Sequence, residues 1–275
     1  MSDHNDPPPA KARRLTTHAS PAGTYNQYLG GKDSYPVDEE VERRMEALGV
    51  EPQLIAGQNR EFHQRAVRIV ADQLGINQIL DIGPGKPDDS PSTHEIAQQF
   101  LPAAEVLYVD NDPIVVRHAE ARLRSGHHGA THYAEIDACE PQKLLAAAAK
   151  YLDLQRPVAV LMIALLHFVE DSDQDPRHIV RTVMEAMAPG SCLVLTHLVD
   201  DHSPETWRAV EAVYREEGMP AQIRPYDRVH ALFEGLDLLD PGLVPVTQWH
   251  PAPDDISIAI KPARVPLYGA IAVKL

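Results

Sequence analysis

The stretch Gln78-Ile-Leu-Asp-Ile-Gly-Pro-Gly85 constrains what this chain can fold into more than any other. It reads as a short apolar strand that runs into a turn carrying two glycines one residue apart. A strand ending in Asp81-x-Gly83-x-Gly85 leaves a carboxylate and a glycine loop at its carboxyl edge, where open α/β sheets bind ligands. Glycine lacks a Cβ, so the backbone there can take positive φ and approach a bound molecule closely. The sequel is Glu105-Val-Leu-Tyr-Val-Asp110-Asn111, a second apolar strand ending in an acid placed to hydrogen-bond ribose hydroxyls. A dinucleotide fingerprint wants a third glycine three residues after Gly85, and Asp88 stands there. That glycine permits close helix–strand packing around a pyrophosphate. A ligand with a ribose and no phosphate, such as S-adenosyl-L-methionine (SAM), does not need it, so the spacing favours SAM over NAD.

A chain of 275 residues, 44% of them hydrophobic, has material for a sizeable core in one large domain or two small ones. A net charge of −15 disfavours a nucleic-acid backbone as the main partner, since that binding draws on clustered Lys and Arg. Cys139 and Cys192 suggest neither a disulfide framework nor a zinc site. The longest apolar run, Val158 to Leu166, is too short to span a bilayer, and the polar start Met1–Pro9 has no secretory apolar core. The expectation is a soluble cytoplasmic protein without metal.

In chain order, residues 1–20 are polar, carry Pro7-Pro8-Pro9, and are expected to be a disordered tail, with Lys11-Ala-Arg13-Arg14 a solvated basic stretch. Tyr25, Tyr28, Gly30-Gly31, Lys32 and Asp33 follow as a dense set of ligand-capable groups, the glycine pair breaking any helix begun at the tyrosines. Val37, Val41, Met45 and Leu48 recur at helical spacing, with Gly49 as a stop. A longer amphipathic helix from about Pro52 to Leu74 buries Leu54, Phe62, Ala66, Ile69 and Val70 and carries Asn59 and Arg60, an arginine able to pair bidentately with a carboxylate. From Ile76 strands and helices alternate, the pattern of a mainly parallel sheet.

The strands are read at Ile79–Ile82, Val106–Val109, Thr131–Ala134, Pro157–Ala164, Cys192–Thr196, Leu243–Val246 and Tyr268–Lys274. Ser92 with Glu95 resembles a capping box, Asp112-Pro113 and Asp175-Pro176 open helices, and Ser203-Pro204 caps another. Asp137-Ala138 ends the third strand with an acid that could meet an adenine amino group beside a residue small enough to leave room for the ring. His167 follows the most apolar strand toward the same crevice, and His197 is expected just beyond the end of the fifth. The organisation is a helical cover over 21–75 on an α/β unit over 76–275, without internal repeats.

With these residues in place, the chain resembles an S-adenosyl methyltransferase family of unknown function. The matching segments are Tyr25–Asp33, Asn59-Arg60, Leu80–Gly85, Tyr108–Pro113, Leu165–Val169 and Thr196-His197. The resemblance implies a Rossmann-like class I methyltransferase fold, a seven-stranded mainly parallel sheet with helices on both faces and an antiparallel last strand. It implies that Asp81, Gly83 and Gly85 line the methionine side of SAM, that Asp110 takes the ribose hydroxyls and that Asn111 sits by the adenine. Asp137 and Ala138 would flank the adenine edge, Ala164 to Leu166 would form the floor, and Tyr25–Asp33 with Arg60 would cover the site. The loop Lys86-Pro87-Asp-Asp-Ser-Pro-Ser92 departs from the family pattern, being longer and lacking an Asn.

The expected activity is methyl transfer from SAM to a small molecule. For a hydroxyl nucleophile His167 is the first candidate base, with His197 and Tyr25 behind it. A SAM-binding sensor or partner-binding protein without transferase activity is the alternative, and an NAD-dependent oxidoreductase a weaker third. The acceptor, the atom methylated and the oligomeric state are open at this level.

Overall fold

The computed structural model describes residues 18–171, 175–252 and 254–275. The expected tail and its basic stretch Lys11–Arg14 therefore lie, up to residue 17, outside the described residues. Three helices come first, α1 (Pro21–Tyr28), α2 (Pro36–Ala47) and α3 (Pro52–Asp72). The alternating part follows as β1 (Gln78–Ile82), α4 (Thr93–Phe100), β2 (Glu105–Asp110), α5 (Pro113–Arg122), β3 (Ala130–Glu135), α6 (Pro141–Tyr151), β4 (Ala159–Ile163) and α7 (Pro176–Ala186). The chain closes with β5 (Cys192–Leu198), α8 (Pro204–Glu216), α9 (Tyr226–His230), β6 (Asp237–Leu238), β7 (Val244–Pro245) and β8 (Leu267–Val273).

The strands form one sheet in the order β3-β2-β1-β4-β5-β8-β6, with β7 also paired to β8. β1 to β5 run parallel, and β8 lies antiparallel against β5, β6 and β7. The sheet thus has eight strands where seven are expected, the addition being the two-residue β6 beside β8. Such a piece has no periodicity for the sequence to display.

Period-two alternation sends each strand's side chains to opposite faces. Ile79, Val106, Leu161 and Val194 pack with Phe62, Ala66 and Val70 of α3, Ile96 of α4 and Trp207 and Val210 of α8. Leu80, Leu107, Val160 and Leu193 pack with Leu144 of α6 and Ile179 and Val183 of α7. Both faces are covered, which is why β1, β4 and β5 read as continuous apolar runs.

The helix starts follow local chemistry. The Ser92 N–H donates to Glu95 Oε2 at 2.8 Å, the capping box expected there. Asp112 accepts from Ile114 N at 2.8 Å and Asp175 from Arg177 N at 2.9 Å, each before a proline. Ser203 differs: its hydroxyl donates to the His202 carbonyl and leaves the helix uncapped. β5 runs through Leu198 because it pairs with β8 as far as Leu267, so His197 lies inside the strand and not beyond it. Leu54 is half-buried, whereas Phe62, Ala66, Ile69 and Val70 are buried as expected.

Phe62 is the hinge of the cover's packing: it is fully buried and meets Trp249 edge-on at 5.2 Å. Phe62→Ala is expected to cost about 3–5 kcal/mol, seen in urea as a lower midpoint with the slope unchanged. A loss under about 1 kcal/mol would show that the contact is dispensable.

Candidate functional site

Parallel pairing sets β1 and β2 side by side, with Asp81 opposite Tyr108 and Ile82 opposite Val109. Asp81 and, at the last position of β2, Asp110 therefore reach the same carboxyl edge. A cavity of about 1020 Å³ opens there. Tyr25, Arg60, Asp81, Gly83, Gly85, Asp110, Asn111, Asp137, Ala138, Ala164 and Leu165 all line it, whereas Leu166, expected in the floor, is fully buried in the core and does not. Gly83 and Gly85 both have φ +71°, which only glycine takes without strain. At Gly83 a Cβ would also come within 2.7 Å of Leu165 Cδ1, while at Gly85 it would meet nothing within 4 Å.

Asp81 is buried and accepts a 2.6 Å hydrogen bond from the Thr93 hydroxyl. Burial nevertheless pushes its carboxyl up to about 6, because desolvation penalises the charged form more than Thr93 and nearby Arg60 favour it. Thr93 Oγ1 in turn faces His63 Nε2 at 2.8 Å. Since the hydroxyl proton goes to Asp81, His63 must donate from Nε2, which leaves Nδ1 bare; that atom is buried without a partner among the described residues. Burial holds His63 down to about 3, so the ring is neutral.

Asp110 is likewise pushed up to about 6 by burial, against backbone N–H donors that include Asp112 N at 2.9 Å. Asn111 Nδ2 donates to Asp137 Oδ2 at 3.3 Å, linking the ends of β2 and β3. Arg60 pairs with Asp88 at 2.5 Å through Nη2 and keeps a buried Nε without a partner among the described residues. Lys86 donates to the Asp33 carbonyl and Arg122 pairs with the Asp33 carboxylate at 3.0 Å, drawing the segment after α1 onto the glycine loop.

A run of buried hydrogen bonds ties the cover to the sheet. Ala164 N donates to Thr196 Oγ1 at 2.9 Å, and Thr196 donates to Asn59 Oδ1 at 2.9 Å. Asn59 Nδ2 donates to the Tyr25 hydroxyl at 2.8 Å, which itself donates to the Ala56 carbonyl at 3.3 Å. Ala164 at one end is left-handed, with φ +53°.

Two of the expected bases sit elsewhere. His197 lines neither this cavity nor the smaller one beside it. It is fully buried in β5, its Nδ1 bonded to the Leu198 carbonyl at 2.6 Å and its Nε2 accepting from Arg224 at 3.1 Å. Both ring nitrogens are committed, and its place inside β5 corrects the expected position just beyond the strand's end. His167, on the short turn Leu166–Phe168, lines the neighbouring cavity of about 50 Å³ and keeps a buried Nδ1 without a partner among the described residues. Tyr25 lines both cavities with its hydroxyl already bonded, and burial raises its pKa. Sequence reasoning missed Thr93, His63, Asp88 and Lys86 as site residues. Thr93, immediately after the capping Ser92, carries the one local hint, a hydroxyl at the start of the helix facing the glycine loop.

A family model described as S-adenosyl methyltransferase matches residues 9–275. No curated protein matches the chain. Among solved structures, a DUF574-family protein from Streptomyces avermitilis MA-4680 is 39% identical, covers 96% of this chain and 100% of its own, and superposes with a TM-score of 0.89. A candidate methyltransferase from Thermobifida fusca YX is 29% identical over 98% of each chain, with a TM-score of 0.85. A SAM-dependent methyltransferase from Anabaena variabilis ATCC 29413 shares the fold alone, at 14% identity over 77% of this chain and 84% of its own, with a TM-score of 0.50.

Asp81 carries a pH signature. Its folded pKa of about 6 exceeds the ordinary 3.8, so between those values the folded state binds more protons than the unfolded one, and stability falls as pH rises through that window. Asp81→Asn removes the term. It is expected to be more stable than wild type above pH 6, on the order of 3 kcal/mol, with the gap closing by about pH 4. Parallel pH–stability curves for the two proteins would contradict this.

Proposed function

Because the chain belongs to the S-adenosyl methyltransferase family, we propose that the cavity at the ends of β1 and β2 is its SAM site and that the methyl acceptor is a small molecule. The observation that carries this reading is the pair of acids, buried Asp81 and half-buried Asp110, on neighbouring parallel strands around a glycine turn. The donor set fits a zwitterionic nucleoside. Asp81 is a buried carboxylate with no cation hydrogen-bonded to it among the described residues, suited to an ammonium, and the orphaned Nε of Arg60 suits a carboxylate. Asp110 suits two ribose hydroxyls, and Asn111, Asp137 and Ala138 suit an adenine edge and face. Gly83 and Gly85 let the backbone approach, and Ala164 and Leu165 form the floor.

The bound cofactor supplies an electrophilic sulfonium methyl group. The chain's own residues then have to orient the partners and exclude water, which in well-arranged cases lowers a barrier by roughly 7–11 kcal/mol. For a hydroxyl acceptor a general base adds about 10²–10⁴-fold. We assign that role to His167 ahead of Tyr25, whose hydroxyl is engaged, and give His197 a structural role through Arg224. Residues 21–75 act as a cover and 76–275 as the cofactor-binding unit, a division supported by the packing of α3 on the sheet. Among the described residues no helix is long and apolar enough to cross a membrane. With a net charge of −15 and two free cysteines, a cytoplasmic enzyme acting on small molecules rather than nucleic acid is the reading best supported.

Titration calorimetry with S-adenosylhomocysteine tests it. Asp110→Ala is expected to weaken binding by about tenfold or more, the loss of hydrogen bonds to a charged group. Unchanged affinity would place the nucleoside elsewhere. Radiolabelled SAM incubated with host extract is expected to label a small, organic-extractable product; label confined to nucleic acid would contradict the acceptor class.

A further inference from the structure

Beyond Ala164 and Leu165 the large cavity continues to an end that the cofactor residues do not use. His18 and Ser20 line it next to Pro21, and its apolar walls are Pro21 and Ala22 from α1, Phe168 and Val169 after β4, and Met219-Pro220 after α8. Side chains of this kind gain by covering an apolar body and offer no charge to it. The small cavity adjoins this end, sharing Pro21, Tyr25, Asn59, Ala164 and Phe168 as walls. Its remaining lining is largely apolar, with Met45, Ile55, Leu198, Trp207 and Leu267 around His167. At about 50 Å³ it has room for only a few non-hydrogen atoms.

Three cationic side chains, Arg60, Lys86 and Arg122, line the large cavity among the described Lys and Arg residues, and none lines the small one. Each is engaged: Arg60 with Asp88, Lys86 with the Asp33 carbonyl, Arg122 with the Asp33 carboxylate. The one buried donor among them without a partner among the described residues, Arg60 Nε, lies close to Asp81 on the cofactor side. An anionic acceptor would meet only lysine and arginine side chains already engaged with an acid or a carbonyl, which makes its burial unfavourable. In the lining of the small cavity the buried polar side-chain atom without a partner among the described residues is Nδ1 of His167, on a ring with 6% of its surface exposed. Desolvation, with His197 and Arg224 close by, pulls its pKa well below the ordinary value, so the ring is neutral and can exchange one hydrogen bond with a neutral group.

We propose that the apolar end and the adjoining small cavity together form the acceptor site, and that it takes an uncharged, largely apolar molecule with a single hydroxyl or amine. The body of the acceptor packs against Phe168 and Met219, and its polar edge enters beside His167. This rests on the cofactor reading above and narrows it to a substrate class.

The test uses the full chain saturated with S-adenosylhomocysteine and three probes of similar shape: 1-naphthol, the anion 1-naphthoate, and naphthalene. Equilibrium binding is expected to favour 1-naphthol over 1-naphthoate by about tenfold or more. Phe168→Ala, and independently Met219→Ala, should weaken 1-naphthol severalfold while leaving S-adenosylhomocysteine binding as in wild type. His167→Phe should weaken 1-naphthol and leave naphthalene unchanged, a contrast that a merely structural histidine would not produce. Equal or tighter binding of 1-naphthoate, or no binding of 1-naphthol to the S-adenosylhomocysteine complex, overturns the acceptor class. If S-adenosylhomocysteine itself does not bind wild type, the cofactor reading beneath it fails instead, and the two failures are separable.

Discussion

Everything at this site depends on two carboxylates being carried out of water by two paired strands. β1 and β2 are buried apolar strands whose register brings Asp81 and Asp110 to one edge, and both acids titrate near 6 because burial opposes their charge. Burying acids without cations works against folding, so the arrangement makes sense when a ligand completes it. The nearby groups are consistent with that. Thr93 spends its only proton on Asp81, His63 backs Thr93, and Arg60 divides itself between Asp88 and an empty-handed Nε.

The second constraint is the hydrogen-bond run from Ala164 through Thr196 and Asn59 to Tyr25. It joins β4, β5, α3 and α1, four elements that no local sequence rule connects. A left-handed alanine costs of order 1–3 kcal/mol and persists only where its surroundings hold it. Here the Thr196 hydroxyl captures its N–H, and the chain turns sharply away from β4. That turn opens the space between the cofactor residues and Phe168, while Tyr25 places the cover above it. Fold, cover and cavity are thus held by one connected set of buried polar groups.

Much of this was legible in the sequence because it rests on short-range signals. The glycine turn, the acid ending β2, the Ser92–Glu95 box and the Asp-Pro helix starts are local, and each lies where its chemistry says. What stayed hidden depends on partners far along the chain. His197 looked like a residue past a strand end, but pairing with β8 carries the strand through it and Arg224 occupies its ring. Thr93 and His63 become site residues only when α3 packs beside α4, and β6 is two residues long with nothing periodic to read. The eleven cofactor candidates converge because they sit at strand ends or on the segments covering them, a placement that follows from topology.

The most direct measurement is the titration of the Asp81 carboxyl by carbon NMR, assigned by comparison with Asp81→Asn, alone and with S-adenosylhomocysteine at a concentration shown to saturate. In the free protein the midpoint is expected near 6. With an ammonium seated beside it, the midpoint is expected to fall below the ordinary carboxylate range. A midpoint that stays near 6 with the ligand bound would mean that Asp81 does not hold the cofactor's amino group.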